Sequence, residues 1–154
     1  DCVLICANTL HMFSDEVQSS ISIPLLNIID ATGENIKEQN LKKVGLLGTQ
    51  RTMENDFYGA RLKRFFDIDV IVPEAQEKEV IDDIIFKEIS LGVKDDSSRK
   101  KLISVMGALI EMGAQGIILG CTEIPLLIKQ SDAEVHLFDT LALHANMAVK
   151  FAIS

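Results

Sequence analysis

The sequence predicts an α/β fold built on a mostly parallel sheet, and three observations carry that prediction. Six short apolar runs recur along the 154 residues. They are apolar throughout rather than alternating, the pattern of strands covered on both faces. Between them lie amphipathic stretches of the length needed for right-handed crossover helices.

The elements follow in order. "CVLIC" (2–6) reads as a buried strand and "HMFSDEVQSSI" (11–21) as a helix. "PLLNIID" (24–30) is a second strand, and "ATGENIKEQN" (31–40) a short helical or loop connection. "KKVGLLGT" (42–49) is a third strand ending in Gly-Thr. "MENDFYGARLKRFF" (53–66) reads as one helix, with Phe57, Leu62 and Phe65 near one face. "DVIVPE" (69–74) is a fourth strand closed by Pro73. "QEKEVIDDIIFKEISLG" (76–92) is a helix stopped by Gly92. "SSRKKLISVMGALIEMG" (97–113) is another, with Ser97 or Ser98 as N-cap and Gly113 at its C-terminal end. "GIILGCT" (116–122) is a fifth strand, "EIPLLIKQ" (123–130) a short helix, "VHLFDT" (135–140) a sixth strand, and "LALHANMAVKFAI" (141–153) the last helix.

Composition narrows the function classes. A 47% apolar, 25% charged chain of this length supports a sizeable core. The net charge of −8 argues against nucleic acid or an anionic membrane as the partner. No apolar run approaches the roughly 20 residues of a membrane span, and no signal peptide is visible. Three cysteines, an odd number, do not form a secreted disulfide framework, so a reducing cytoplasm is expected. The chain opens at Asp1 directly on a strand-like run, from which a missing N-terminal part is expected.

In parallel α/β folds ligands bind beyond the carboxyl ends of strands. Those positions hold Asn8 and Thr9, Asp30, Gly48 and Thr49, Cys121 and Thr122, and Asp139 and Thr140. Cys121 stands between an apolar strand and a segment carrying Pro125, a residue favoured in a first helical turn. A helix N-terminus there would favour thiolate over thiol and make Cys121 quicker to alkylate than Cys2 or Cys6. The alternative is a small buried apolar side chain. Asn8, Thr9, Thr49 and Thr122 are suited to a carboxylate, or singly to local capping. His11, His136 and His144 lack metal-ligand spacing, and no metal site is expected. "GLLGTQRTM" lacks both the GxGxxG and the P-loop pattern. No lysine has a context that marks a pyridoxal phosphate site.

"CANTLH" (6–11), "KKVGLLGTQRTM" (42–53) and "GCTEIPLLI" (120–128) together resemble the aspartate/glutamate racemase family, in order and spacing along nearly the whole chain. The resemblance implies a cofactor-independent amino-acid racemase, an isomerase, in two pseudo-symmetric α/β lobes with the active site in the cleft between them. Residues 1–35 and 132–154 would form the first lobe, less an N-terminal βα segment that family members carry, and 36–131 the second. A homodimer and a small amino-acid or dicarboxylate substrate are expected. Ala7, Asn8, Thr9, Thr49, Thr122 and Glu123 would surround the substrate. Racemisation needs an acid/base group on each face of the α-carbon. Cys121 fits one. The family position for the other, usually Cys and sometimes Thr, is occupied here by Ala7, which transfers no proton. Cys6 is one residue earlier, and strand alternation would turn it away from the substrate. Three outcomes are open: Cys6, Thr9 or a water as second base; Cys121 acting alone, as in single-cysteine decarboxylases or isomerases of small dicarboxylates; or a non-catalytic homologue that binds an acidic amino acid.

Overall fold

The computed structural model describes residues 1–154. Two parallel sheets organise it. Strands β1 (Val3–Leu4) and β2 (Leu25–Leu26) form a two-stranded sheet. Strands β3 (Lys43–Leu47), β4 (Asp69–Ile71), β5 (Gly116–Leu119) and β6 (His136–Asp139) form a four-stranded sheet in the order β4-β3-β5-β6. Every ladder is parallel, and the fold is the expected two-lobed α/β type.

The helices cover the large sheet on both faces. Helices α5 (Ala75–Lys87) and α6 (Asp96–Glu111) close one core, which includes Leu47, Ile81, Leu102, Met106, Ile117 and Leu119. Helices α2 (Ile28–Glu38) and α4 (Phe57–Phe66) close the other, around Ile28, Ile36, Leu46, Tyr58, Leu62 and Phe138. Strands β3 and β5 send side chains to both cores, which is why their sequences carry no polar alternation. The last helix, α7 (Thr140–Ile153), packs back on α2, and the His144 ring lies 2.7 Å from the Leu26 carbonyl of β2. Two elements straddle the division expected between lobes. Strand β6, expected with residues 132–154 in the first lobe, pairs with β5 of the large sheet. Helix α2, much of it expected there too, packs its isoleucines against the same sheet.

Several elements differ from the sequence expectation, each for a local reason. "PLLNIID" is a strand only at Leu25–Leu26. The Asn27 side chain accepts the Ile29 N–H at 2.8 Å and caps α2, so Ile28 and Ile29 enter a buried helical turn. "MENDFYGARLKRFF" contains a break: α3 (Gln50–Glu54) ends where Asn55 turns extended, and α4 begins at Phe57. Residues 11–21 form the end of a 3₁₀ turn (Thr9–Phe13) and then α1 (Ser14–Ser20). The N-cap of α6 is Asp95, whose carboxylate accepts the Ser98 N–H, rather than Ser97 or Ser98. "EIPLLIKQ" forms only a three-residue 3₁₀ turn, Ile124–Leu126.

The sheet order positions the site. From β3 the chain moves outward to β4, then returns to the opposite side of β3 to form β5. The carboxyl ends of β3 and β5 therefore flank the point where strand order reverses, the place where open α/β sheets form a crevice. Gly48 and Gly120 end these strands, and the Gly120 N–H donates to the Leu47 carbonyl at 2.6 Å. A Cβ on Gly120 would lie 2.9 Å from the Leu47 oxygen. Only glycine lets the two strand ends approach this closely.

Candidate active site

A cavity of about 230 Å³ opens at that crevice. One wall comes from residues 6–9, which follow β1: Cys6, Ala7, Asn8 and Thr9. Thr49, after β3, and Cys121, Thr122 and Glu123, after β5, form the facing wall, with Phe86 and Ser90 beside them. The residues that the family resemblance sets around the substrate, with Cys6 and Cys121, all line this cavity. Larger hollows exist, among them one of about 570 Å³ between α2 and α7. That one gathers no thiol, whereas the smaller cavity collects two thiols, a carboxylate and three threonines. A further groove of about 580 Å³ shares Thr9 and Thr49 with it.

The wall from residues 6–9 is fixed by long-range bonds. Asn8 is 4% exposed; its Nδ2 donates to Thr140 Oγ1 at 2.9 Å, and Thr140 Oγ1 donates to the Leu119 carbonyl of β5 at 2.9 Å. Asn8 Oδ1 is buried without a partner, which leaves one strong acceptor unengaged. His11 is buried as well. Its Nε2 accepts the Ile28 N–H at 3.1 Å, so Nδ1 carries the proton and donates to the Ala7 carbonyl at 2.9 Å. Both ring nitrogens are used in a neutral imidazole. Its pKa is lowered from 6.5 to about 4, chiefly by burial, against which the Ala7 bond acts. His11 and His144 stand edge to face, 5.7 Å between centroids. Neither lines the cavity.

Three hydroxyls meet below that wall. Thr9 Oγ1 lies 2.7 Å from Thr52 Oγ1 and 3.2 Å from Thr49 Oγ1, and Thr49 and Thr52 are 3.0 Å apart. Thr52 is fully buried and is not singled out by the strand-end argument, because it lies one turn into α3. The signal was its spacing from Thr49: residues three apart share a helix face. A closed ring of three hydroxyls uses its own protons, so a bound carboxylate must turn at least one of them outward.

Cys121 is 7% exposed, and its thiol donates to Glu123 Oε2 at 2.9 Å. Thr122 Oγ1 donates to the same oxygen at 2.8 Å. Burial first, and then the neighbouring Glu123 carboxylate, push the thiol up to about 12. This corrects the expectation of a thiolate at a helix N-terminus. The segment that follows is too short to develop a helix dipole, and an anion faces the sulfur. With Cys6 exposed and Cys121 a buried thiol, faster alkylation of Cys6 is now the expected order. Burial of Glu123 acts to raise its pKa, but the bonds from Cys121 and Thr122 outweigh it and hold the carboxylate below its usual value.

Cys6 corrects a second expectation. Strand β1 ends at Leu4, so residues 6 and 7 lie beyond the pleat, and alternation does not separate them. Both line the cavity. Asp30, expected at a strand end, lies in the first turn of α2 and is gripped by Arg61 at 2.6 and 2.7 Å, apart from the cavity. Asp139 caps α7 by accepting the Ala142 N–H at 3.1 Å. No three His, Cys, Asp or Glu side chains converge in a way that could hold a metal ion. No helix is long and apolar enough to cross a membrane.

A thiol, a carboxylate and a threonine cluster thus meet at the switch-point crevice of a parallel α/β fold, the place where such folds hold small molecules. The chain belongs to the Asp/Glu/hydantoin racemase family, whose model matches residues 1–148. The solved structure of a candidate Asp/Glu racemase from Yersinia pestis is 42% identical, with a TM-score of 0.94 over 99% of this chain and 66% of its own. An aspartate racemase homologue from Pyrococcus horikoshii OT3 is 37% identical, with a TM-score of 0.91 over 99% of this chain and 67% of its own. Among curated relatives, the glutamate racemase of Hydrogenobaculum sp. (strain Y04AAS1) is 29% identical over 135 residues, 82% of this chain. The chain spans about half the length of that enzyme, 48%.

Proposed function

We propose that the protein is an amino-acid racemase of the aspartate/glutamate type that moves the α-proton with Cys121 and uses no cofactor. The observation that supports this reading best is the convergence of Cys121, Asn8, Thr9, Thr49, Thr122 and Glu123 on one cavity from separate strand ends. The threonine hydroxyls are suited to receive a carboxylate and hold the α-carbon near the Cys121 sulfur. Two-sided proton transfer would use Cys6, Thr9 or an ordered water across from it. A cleft between lobes, a homodimer and a cytoplasmic location belong to the same reading.

The experiment is α-proton exchange in deuterated water, with D/L conversion followed in parallel, on aspartate and glutamate without pyridoxal phosphate. The wild-type protein is expected to exchange the proton. Cys121→Ser keeps nearly the same volume and is expected to fold normally but lose turnover by orders of magnitude. Unchanged turnover in Cys121→Ser would remove the thiol from the mechanism.

One observation favours a second reading. Ala7 leaves the family position for the opposite base empty, and Cys121 is held as a protonated thiol. A lone thiol poised to donate suits an enzyme that protonates one face of an enediolate, such as a single-cysteine decarboxylase or isomerase of a small dicarboxylate. Product formation from a dicarboxylate with one fixed stereochemistry, without D/L conversion of any amino acid, is its expected signature. Saturable binding of an acidic amino acid with neither reaction would mark a non-catalytic homologue.

A further inference from the structure

We propose that Arg51 reads the substrate's side chain: its guanidinium receives the distal carboxylate of an acidic amino acid whose α-carbon lies beside Cys121. The proposal rests on the racemase reading and names a specificity residue for that same site.

Charge is the first reason. Among the residues lining the cavity only Glu123 is charged, and it is an anion. The threonine hydroxyls are suited to one carboxylate, that of the α-carbon. Aspartate and glutamate bring a second. It would enter a cavity that holds no cation, in a chain of net charge −8. A carboxylate drawn out of water without a positive partner binds poorly.

The shape of the site is the second. The groove of about 580 Å³ continues from the cavity, because Thr9, Thr49 and Phe86 line both. Arg51 is the sole cation on either lining. A side chain that leaves the α-carbon between the two threonines and Phe86 runs toward it.

The third is that Arg51 is free to bind. Each of the other three arginines has a partner: Arg61 is gripped by Asp30, Arg99 bonds Asp132, and Arg64 lies 5.0 Å from the centre of the Phe65 ring. Arg51 belongs to none of the ion pairs of the structure. Its carbonyl is held, accepting Asn55 Nδ2 at 2.8 Å, but its guanidinium is not. The two acids of the groove are engaged by the preceding residue. Asp82 Oδ1 accepts the Gln50 N–H at 2.7 Å, and Glu54 Oε1 accepts Gln50 Nε2 at 2.8 Å. These bonds pin the first turn of α3. The backbone of Arg51 is therefore fixed while its planar fork, which matches a carboxylate with two parallel bonds, stays available.

The test uses isosteric pairs. α-Proton exchange is measured with glutamate against glutamine and aspartate against asparagine, for wild type, Arg51→Gln and Arg51→Lys. The wild type should favour each acid over its amide. Arg51→Gln should lower the acid-to-amide ratio of kcat/KM roughly tenfold, chiefly through KM for the acid. Arg51→Lys should restore part of the ratio, since it returns the charge but not the fork. Added salt should erode the acid preference of the wild type more than that of Arg51→Gln. An acid-to-amide ratio in Arg51→Gln equal to that of wild type overturns the proposal. So do equal losses on acid and amide, which would mark a structural role. A wild type that prefers the amides, or an ω-ammonium side chain such as lysine, overturns it too and assigns the groove to Glu54 and Asp82. Absence of exchange in the wild type with every amino acid defeats the racemase reading and this assignment with it. That outcome is distinct from the others, which all require an active wild type.

Discussion

Acidification should destabilise this protein through His11, by an amount the structure sets. His11 is 2% exposed, and both of its nitrogens are engaged as a neutral ring. Protonation would turn Nε2 from acceptor into donor, facing the Ile28 N–H that it now accepts. Folding therefore holds the pKa near 4, against 6.5 for the free side chain. The sign follows from linkage. As pH falls, the unfolded chain binds this proton first, so the contribution is complete above about pH 6.5 and is lost on the way down to about pH 4. A displacement of this size is worth at most about 3 kcal/mol, of which roughly 2 kcal/mol is gone by about pH 5. Urea unfolding of wild type and His11→Gln at about pH 7.5 and about pH 5 isolates it, because the carboxylates titrate alike in both proteins. The wild type should lose about 2 kcal/mol more than the variant between the two conditions. Equal losses would refute the reasoning and make the buried ring irrelevant to acid stability.

Two further predictions test the cavity walls. Ala7→Cys should raise D/L conversion relative to α-proton exchange, since it restores a thiol at a half-buried position that lines the cavity opposite Cys121; an unchanged ratio of the two rates would remove position 7 from the chemistry. Gly120→Ala should cost about 1–3 kcal/mol in urea or thermal unfolding, because its methyl would meet the Leu47 carbonyl oxygen at 2.9 Å and Leu46 Cδ1 at 2.7 Å; wild-type stability would show that the two strand ends can separate.

The large sheet was legible in the sequence because its strands are short and largely apolar, and β3 and β5 end at glycines. "KKVGLLGT", "GIILGCT" and "VHLFDT" contain β3, β5 and β6. The smaller sheet was less legible. "PLLNIID" is apolar enough for a strand, and the competing N-cap at Asn27 decides the matter through one local hydrogen bond. The strand-end rule found the cavity residues, because ligand position in parallel α/β folds depends on topology more than on the residues themselves. What it missed depends on contacts distant in sequence or on burial. Thr140 was visible as a strand-end residue, but its bridge between Asn8 and Leu119 spans 132 positions on one side. The protonated state of Cys121 was hidden for a similar reason. A Pro-containing segment after a cysteine suggests a helix N-terminus, and only the three-dimensional placement of Glu123 and the apolar core around the sulfur reverses the expected charge.

The backbone around Ala7 is specified more tightly than its side chain. His11 holds the Ala7 carbonyl, and Asn8, the next residue, is tied across to Thr140. None of these bonds consults the methyl group of Ala7. Position 7 is therefore an empty socket in a finished mounting: the residue there can change while the cavity wall keeps its shape. On the proposed racemase reading, loss or regain of a second proton carrier becomes a single-step change with little structural penalty. On that reading a lineage could drift between two-sided and one-sided chemistry at this site without passing through an unfolded intermediate.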